Sequence, residues 1–129
     1  MADHAKINLR DEAEDQAPKF NMPDGIEARF ARNAMGGSEL SGVSYFAYGP
    51  DFKTAFGHTH SEQEETYVIV GGSGTARVGD EEIELRAWDA LRVAPGAPHG
   101  LAAGPDGMQL IAFGAGPSGD AEMIEGFWS

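Results

Sequence analysis

The sequence predicts an all-β chain closed into a sandwich or barrel, and three observations carry that prediction. Eighteen glycines stand among 129 residues, about twice the ordinary share of roughly 7%, and they follow no fixed period. Short apolar runs recur between Gly-Asp, Pro-Gly and Gly-Pro turn signals, the pattern of strands joined by tight turns. No apolar helical repeat of useful length interrupts them. A sandwich or barrel suits such short strands because it limits exposed edges. A chain of this length buries one real core and is too short for two.

Residues 1–25 combine charge, two prolines and little periodicity, and read as an N-terminal arm or a short leading strand. Asp11, Glu12, Glu14 and Asp15 form an acidic cluster there. The cluster lacks the glycine and the alternating spacing of a calcium loop, so a solvated face is the expectation. From residue 26 to the end, one barrel with a docking tail is expected. Ile26, Ala28 and Phe30 alternate with Glu27, Arg29 and Ala31 at the period of a half-buried strand. Val43 to Tyr48, Thr66 to Val70, Gly74 to Val78, Ile83 to Leu85, Ala90 to Val93 and Met108 to Phe113 read as further strands. Val78-Gly79-Asp80-Glu81-Glu82-Ile83 reads as a hairpin connection, with Gly79 free to take a positive φ. At the end, Phe127 and Trp128 would waste much apolar area in water, so docking on the barrel or on a second subunit is expected.

Charge and composition exclude several partners. A formal net charge of −12 repels phosphate backbones and anionic headgroups, which argues against nucleic acid and membranes. The chain has no cysteine, which removes disulfides, thiolate metal sites and a thiol nucleophile together. Any metal must be held by nitrogen and oxygen. No run approaches the ~20 apolar residues of a membrane span, and the acidic N-terminus does not resemble a secretory signal. A cytoplasmic protein is the expectation.

Two segments carry candidate chemistry. In Gly57-His58-Thr59-His60, extended backbone would point both imidazoles to one side, since alternate residues share a face. A turn through Ser61 to Glu64 would return the chain as a strand with Glu65, Tyr67 and Ile69 on one face, so that Glu65 adds an anionic oxygen. In Trp88 to His99, a strand with Leu91 and Val93 inward runs into the stiff turn Pro95-Gly96-Ala97-Pro98, which delivers His99. Three imidazoles and a carboxylate suit a borderline divalent ion: Fe, Mn, Ni, Cu or Zn.

These two segments resemble the two cupin motifs, the first G-x5-H-x-H-x3,4-E-x6-G and the second G-x5-P-x-G-x2-H-x3-N, over about residues 43–113. The resemblance implies a double-stranded β-helix, or jelly roll, and the metal ligands His58, His60, Glu65 and His99. It also implies a homodimer, since many relatives are dimers. The match departs from the pattern at Phe52 and Trp88, where glycines are usual, at Pro95, which is shifted by one, and at Ala103, which stands for asparagine. Glu64 and Glu65 both satisfy the spacing; Glu65 is preferred because its pairing with Gly72 leaves Gly72-Ser73-Gly74 as the turn.

The expected cavity is apolar, with Tyr67, Ile69, Leu91 and Val93 inward and Tyr45 a further candidate. Tyr67 is the candidate proton or hydrogen-bond donor, while Arg77 and Arg92 are expected to face solvent. The expected function is metal-dependent chemistry on a small organic molecule, with oxygenation ahead of isomerase or lyase chemistry. A non-catalytic ligand-binding or sensing module is the alternative, because fold does not fix function.

Overall fold

A computed structural model describes residues 3–129. Eight strands make it: β1 (Glu27–Phe30), β2 (Ser41–Tyr48), β3 (Gly57–His60), β4 (Glu64–Val78), β5 (Glu81–Arg86), β6 (Ala90–Val93), β7 (His99–Ala115) and β8 (Ala121–Ile124). They form one sheet, all antiparallel, with β7 at its hub: β7 pairs with β2, β3 and β4. Strand β1 lies outside β2, β8 lies outside β3, and β4 also carries β5 and β6.

Strand alternation and register together organise the inward face into rows that run across strands. One row is Ala28, Phe46, Leu110 and Ile69. The next is Phe30, Ser44, Ala112, Tyr67 and Leu91. The third is Gly42, Gly114, Glu65 and Val93. The first row is the heart of the core, where Ile69 and Leu110 are wholly buried beside Met108; each such side chain stabilises the fold by about 1.5–3 kcal/mol. Moving two residues along each strand therefore leads from an apolar floor toward a polar mouth.

Two stretches expected as separate strands, Thr66 to Val70 and Gly74 to Val78, are one strand, β4, with register shifts between Ile69 and Gly71 and between Gly72 and Gly74. The physical reason is a bulge. Gly72 takes φ 69° and packs against the Gly107 carbonyl so closely that any Cβ would collide with it. The chain bends there without ending its ladder. Likewise β7 extends well beyond Met108 to Phe113, bending at Gly107 with φ 78°. Strands β3 and β8 do not stand out in the apolar pattern. The hairpin between β4 and β5 has Gly79 at φ 59°, as its sequence suggests.

Before the sheet, the chain makes a short 3-10 turn at Ala17–Phe20 and a single bridge between Asp15 and Arg29 among the described residues. At the other end the aromatic tail packs on its own chain. Trp128 Nε1 donates to the Thr54 carbonyl at 2.7 Å, and Lys53 Nζ lies 4.7 Å from that ring. Phe127 rests on Gly57, where a side chain would collide with it, and faces Arg77 at 5.1 Å.

Candidate metal centre

Strand β3 is extended through Gly57–His60, so His58 and His60 lean to the same side as the sequence implies. His58 pairs directly with His99, the first residue of β7, and their ring centroids lie 4.2 Å apart. Glu65 enters from the start of β4. Its Oε1 lies 2.8 Å from His58 Nε2, 2.9 Å from His60 Nε2 and 3.1 Å from His99 Nε2. The donor atoms of His58, Glu65 and His99 all lie within 4.8 Å of one another. His60 touches Glu65 but stands outside that tightest group, turned by 88° from His58. Glu64 faces outward and pairs with Arg92 at 2.9 Å.

The residues present fit a cation, and the reason lies on the far side of two imidazoles. His99 Nδ1 lies 3.0 Å from the Ala97 carbonyl and His60 Nδ1 lies 2.8 Å from Asp120 Oδ1. Both partners can only accept, so each Nδ1 carries the proton, and in the neutral form of each ring Nε2 turns a lone pair inward. Those lone pairs face a carboxylate oxygen, another acceptor, at hydrogen-bond distance. In that form a metal ion shared by all would join them, with the Tyr67 hydroxyl a further donor to His99 Nε2; protonated rings would instead bond Glu65 directly.

Burial would raise the Glu65 carboxyl, but hydrogen bonds from His58 and His99 and the charges of His58 and His60 outweigh it and hold Glu65 well below the usual carboxylate range. Asp120 is likewise held low: burial opposes this, and the Gln63 amide, His60 and the Glu62 amide overcome it. Burial pushes the Tyr67 hydroxyl up, with Glu65 and Tyr48 adding to the effect. Tyr48 is raised in the same way by burial and then by Glu65. Both phenols thus remain donors. The Tyr67 hydroxyl lies 2.8 Å from His99 Nε2, beside the cluster.

A cavity of about 450 Å³ opens over the centre, its walls mostly apolar. Tyr67 lines it; Ile69 and Val93 are inward but pack within the core instead, with Leu91 against them. Tyr45 faces the opposite side of the sheet, under Arg10 at 5.4 Å, because its parity places it one residue out of step with Ser44 and Phe46. Arg77 and Arg92 stay outside the cavity. Among the polar residues that motif reading misses, Arg32 and Gln63 line the cavity and Asp120 holds His60. Arg32 was visible in principle, since it continues the alternation of Ile26, Ala28 and Phe30. Asp120 precedes β8, and no local signal marks it.

The match to known proteins now has geometry beneath it. Residues 45–113 match the cupin domain family. The chain belongs to that family. No curated protein matches the sequence. A cupin protein from Bacteroides fragilis is 23% identical with TM-score 0.71, over 98% of this chain and 92% of its own. Streptomyces Pac13, a nucleoside dehydratase, is 15% identical with TM-score 0.72, over 93% of this chain and 90% of its own. Oxalate decarboxylase from Bacillus subtilis is 16% identical with TM-score 0.78, over 96% of this chain and 33% of its own. Likeness at such identities establishes the cupin double-stranded β-helix and says nothing about a shared reaction. This small cupin therefore has a His-Glu-His cluster able to hold a metal. No helix among its described residues is long and apolar enough to cross a membrane.

Proposed function

We propose that this cupin binds one divalent metal ion through His58, His60, Glu65 and His99 and uses it on a small organic molecule held in the cavity. The single observation that carries the reading is the set of three imidazole Nε2 atoms around one carboxylate oxygen, two of them with their Nδ1 atoms already committed to acceptors. His60 completes the set as the fourth ligand. Such an ion supplies Lewis acidity or, if redox-active, dioxygen chemistry. The protein's own part is to orient the ligands through Ala97 and Asp120, to shelter the centre between apolar walls, and to offer the Tyr67 hydroxyl as a proton or hydrogen-bond donor.

One feature of the walls favours oxygenation over isomerase or lyase chemistry. Apart from the candidate ligands, the titratable groups lining the cavity among the described residues are Arg32, Tyr48 and Tyr67. An arginine stays protonated, and both phenols are raised by burial. None can accept a substrate proton, so abstraction next to a carbonyl lacks a free general base. The same feature suits a binding or sensing module, which needs no base at all.

Elemental analysis of tag-free protein tests the centre: about one metal per chain is expected, falling to none in His58→Ala/His60→Ala while the circular dichroism spectrum is unchanged. A double variant that keeps its metal refutes the ligand set. Dioxygen consumption by iron-loaded protein with catechols, thiols and keto acids separates the two readings. Tight ligand retention without turnover, under any of the five metals, favours the binding module.

A further inference from the structure

The row that contains Glu65 does not stop at the metal centre. It continues across the sheet through Gly114 to Gly42, and one step further lies Arg32. Ala31 N donates to the Val43 carbonyl at 2.9 Å, which carries the β1–β2 register onward and sets Arg32 beside Gly42. A Cβ on Gly42 would lie 2.9 Å from Arg32 Nε and 3.0 Å from Nη2. The guanidinium thus turns that edge over bare backbone. Among the described residues, Arg32 is the sole lysine or arginine lining the cavity, in a chain of net charge −12.

The guanidinium is held in place but not used up. Nη1 donates to the Ser38 carbonyl at 2.7 Å and Nη2 to the Gly116 carbonyl at 3.0 Å, while Nε finds no acceptor among the described residues. Between Arg32 and Glu65 lies a second fixed group. The Gln63 side chain donates through Nε2 to the Pro117 carbonyl at 2.7 Å and to Asp120 Oδ1 at 2.9 Å, so its amide orientation is settled by two acceptors. Its Oε1 then lies over Gly114, filling the place a side chain would take. Across the row stand a metal-ligating carboxylate, an acceptor and a cation, with Glu65 and Gly42 two strand spacings apart, about 10 Å.

We propose that the cavity takes a small hydroxylated organic anion laid along this row, its chelating end at the metal centre, a hydroxyl facing Gln63 Oε1, and a distal carboxylate or phosphate on the Nε and Nη2 edge of Arg32. The proposal rests on the metal reading for one end of the ligand and on Arg32 for the other. A planar fork aimed from fixed backbone contacts reads an oxyanion in a way that a lysine would not.

The test is calorimetric and separates the two ends. Metal stoichiometry is measured first. The protein is then titrated with malate, with 3-phosphoglycerate, and with 2-hydroxybutyrate, which keeps the chelating end but has a methyl group in place of the distal carboxylate. Malate or 3-phosphoglycerate should bind at least about tenfold more tightly than 2-hydroxybutyrate, and the tighter of the two identifies the oxyanion. Gly42→Ala keeps the Arg32 charge but sets a methyl 2.9 Å from Nε, which pushes the guanidinium off its place; it should erase the preference while leaving metal content unchanged. Arg32→Lys should do the same to the preference. Equal affinity for all three ligands with one metal bound overturns the proposal and leaves Arg32 as a strap between loops. If no metal binds, the metal reading falls by itself. The same titrations on metal-free protein still decide for or against Arg32.

Discussion

The two ends of this barrel are built from the same strands at the same parity, yet they do opposite things. On β4, Ile69 lies at one end and Glu65 at the other; on β7 the pair is Leu110 and Gly114; on β2 it is Phe46 and Gly42. Each large apolar residue on the floor has a glycine or a charge as its counterpart at the mouth. The floor is close-packed and wholly buried at Ile69 and Leu110, so it supplies the stability. The mouth opens a cavity of about 450 Å³ and sets Glu65, Gly114 and Gly42 against it, which add little to hydrophobic burial. Stability and chemistry are therefore separable along the strand axis, four residues apart.

That separation can be broken from either side. At the floor, Ile69→Ala should cost about 2–5 kcal/mol, because it removes a buried aliphatic side chain and leaves a cavity. A denaturant midpoint reads the loss, and metal content per folded molecule should not change. A variant that folds normally but sheds metal would show the two ends to be coupled. At the mouth, Asp120→Asn should weaken metal affinity about 10–100-fold with little effect on Tm. Asp120 takes His60 Nδ1–H on Oδ1 and the amides of Glu62 and Gln63 on Oδ2, each at 2.8 Å. An asparagine must turn its NH₂ toward one of these donors, which frees either the ring or the β3–β4 turn. Titration of metal into the variant reads the change. An unaltered affinity would reduce Asp120 to a loop fastener.

How far the sequence speaks follows the same axis. Where inward residues are apolar and outward ones polar, the strands are readable: Ala90 to Val93 coincides with β6, and Val43 to Tyr48 falls within β2. Where glycine serves a bend inside a strand, it is indistinguishable from a turn, which is why β4 and β7 read as fragments. Strand β3 carries two histidines and β8 carries Glu122, so neither shows a hydrophobic alternation. The grouping of His58, His60, Glu65 and His99 was legible because three of them lie within eight residues and the fourth follows a stiff turn. Asp120 was not, since it reaches His60 across 60 residues of sequence. Only pairing of β8 with β3 brings it there.

The smallest effect concerns the arm, which belongs to neither end. Asp15 Oδ1 accepts from the amides of Ala17 and Ala28, each at 3.0 Å, and so ties the arm to β1. Burial would raise this carboxyl, but the Ala28 and Ala17 amides and the Arg29 charge hold it below its ordinary value of 3.8. A lowered folded-state value means that the carboxylate stabilises the fold fully above pH 3.8 and loses that contribution as pH falls through the depressed value. Asp15→Asn keeps an acceptor and removes the charge, so at pH 7 it should cost only about 0.5 kcal/mol, with solvent screening reducing the effect. The gap between the variant and the native chain should close as denaturation curves are taken from pH 5 down through pH 3. A gap that persists at low pH would mean that the arm is held by shape and the Gln16 amide, which donates to the Ala28 carbonyl at 2.7 Å, with no part played by the charge.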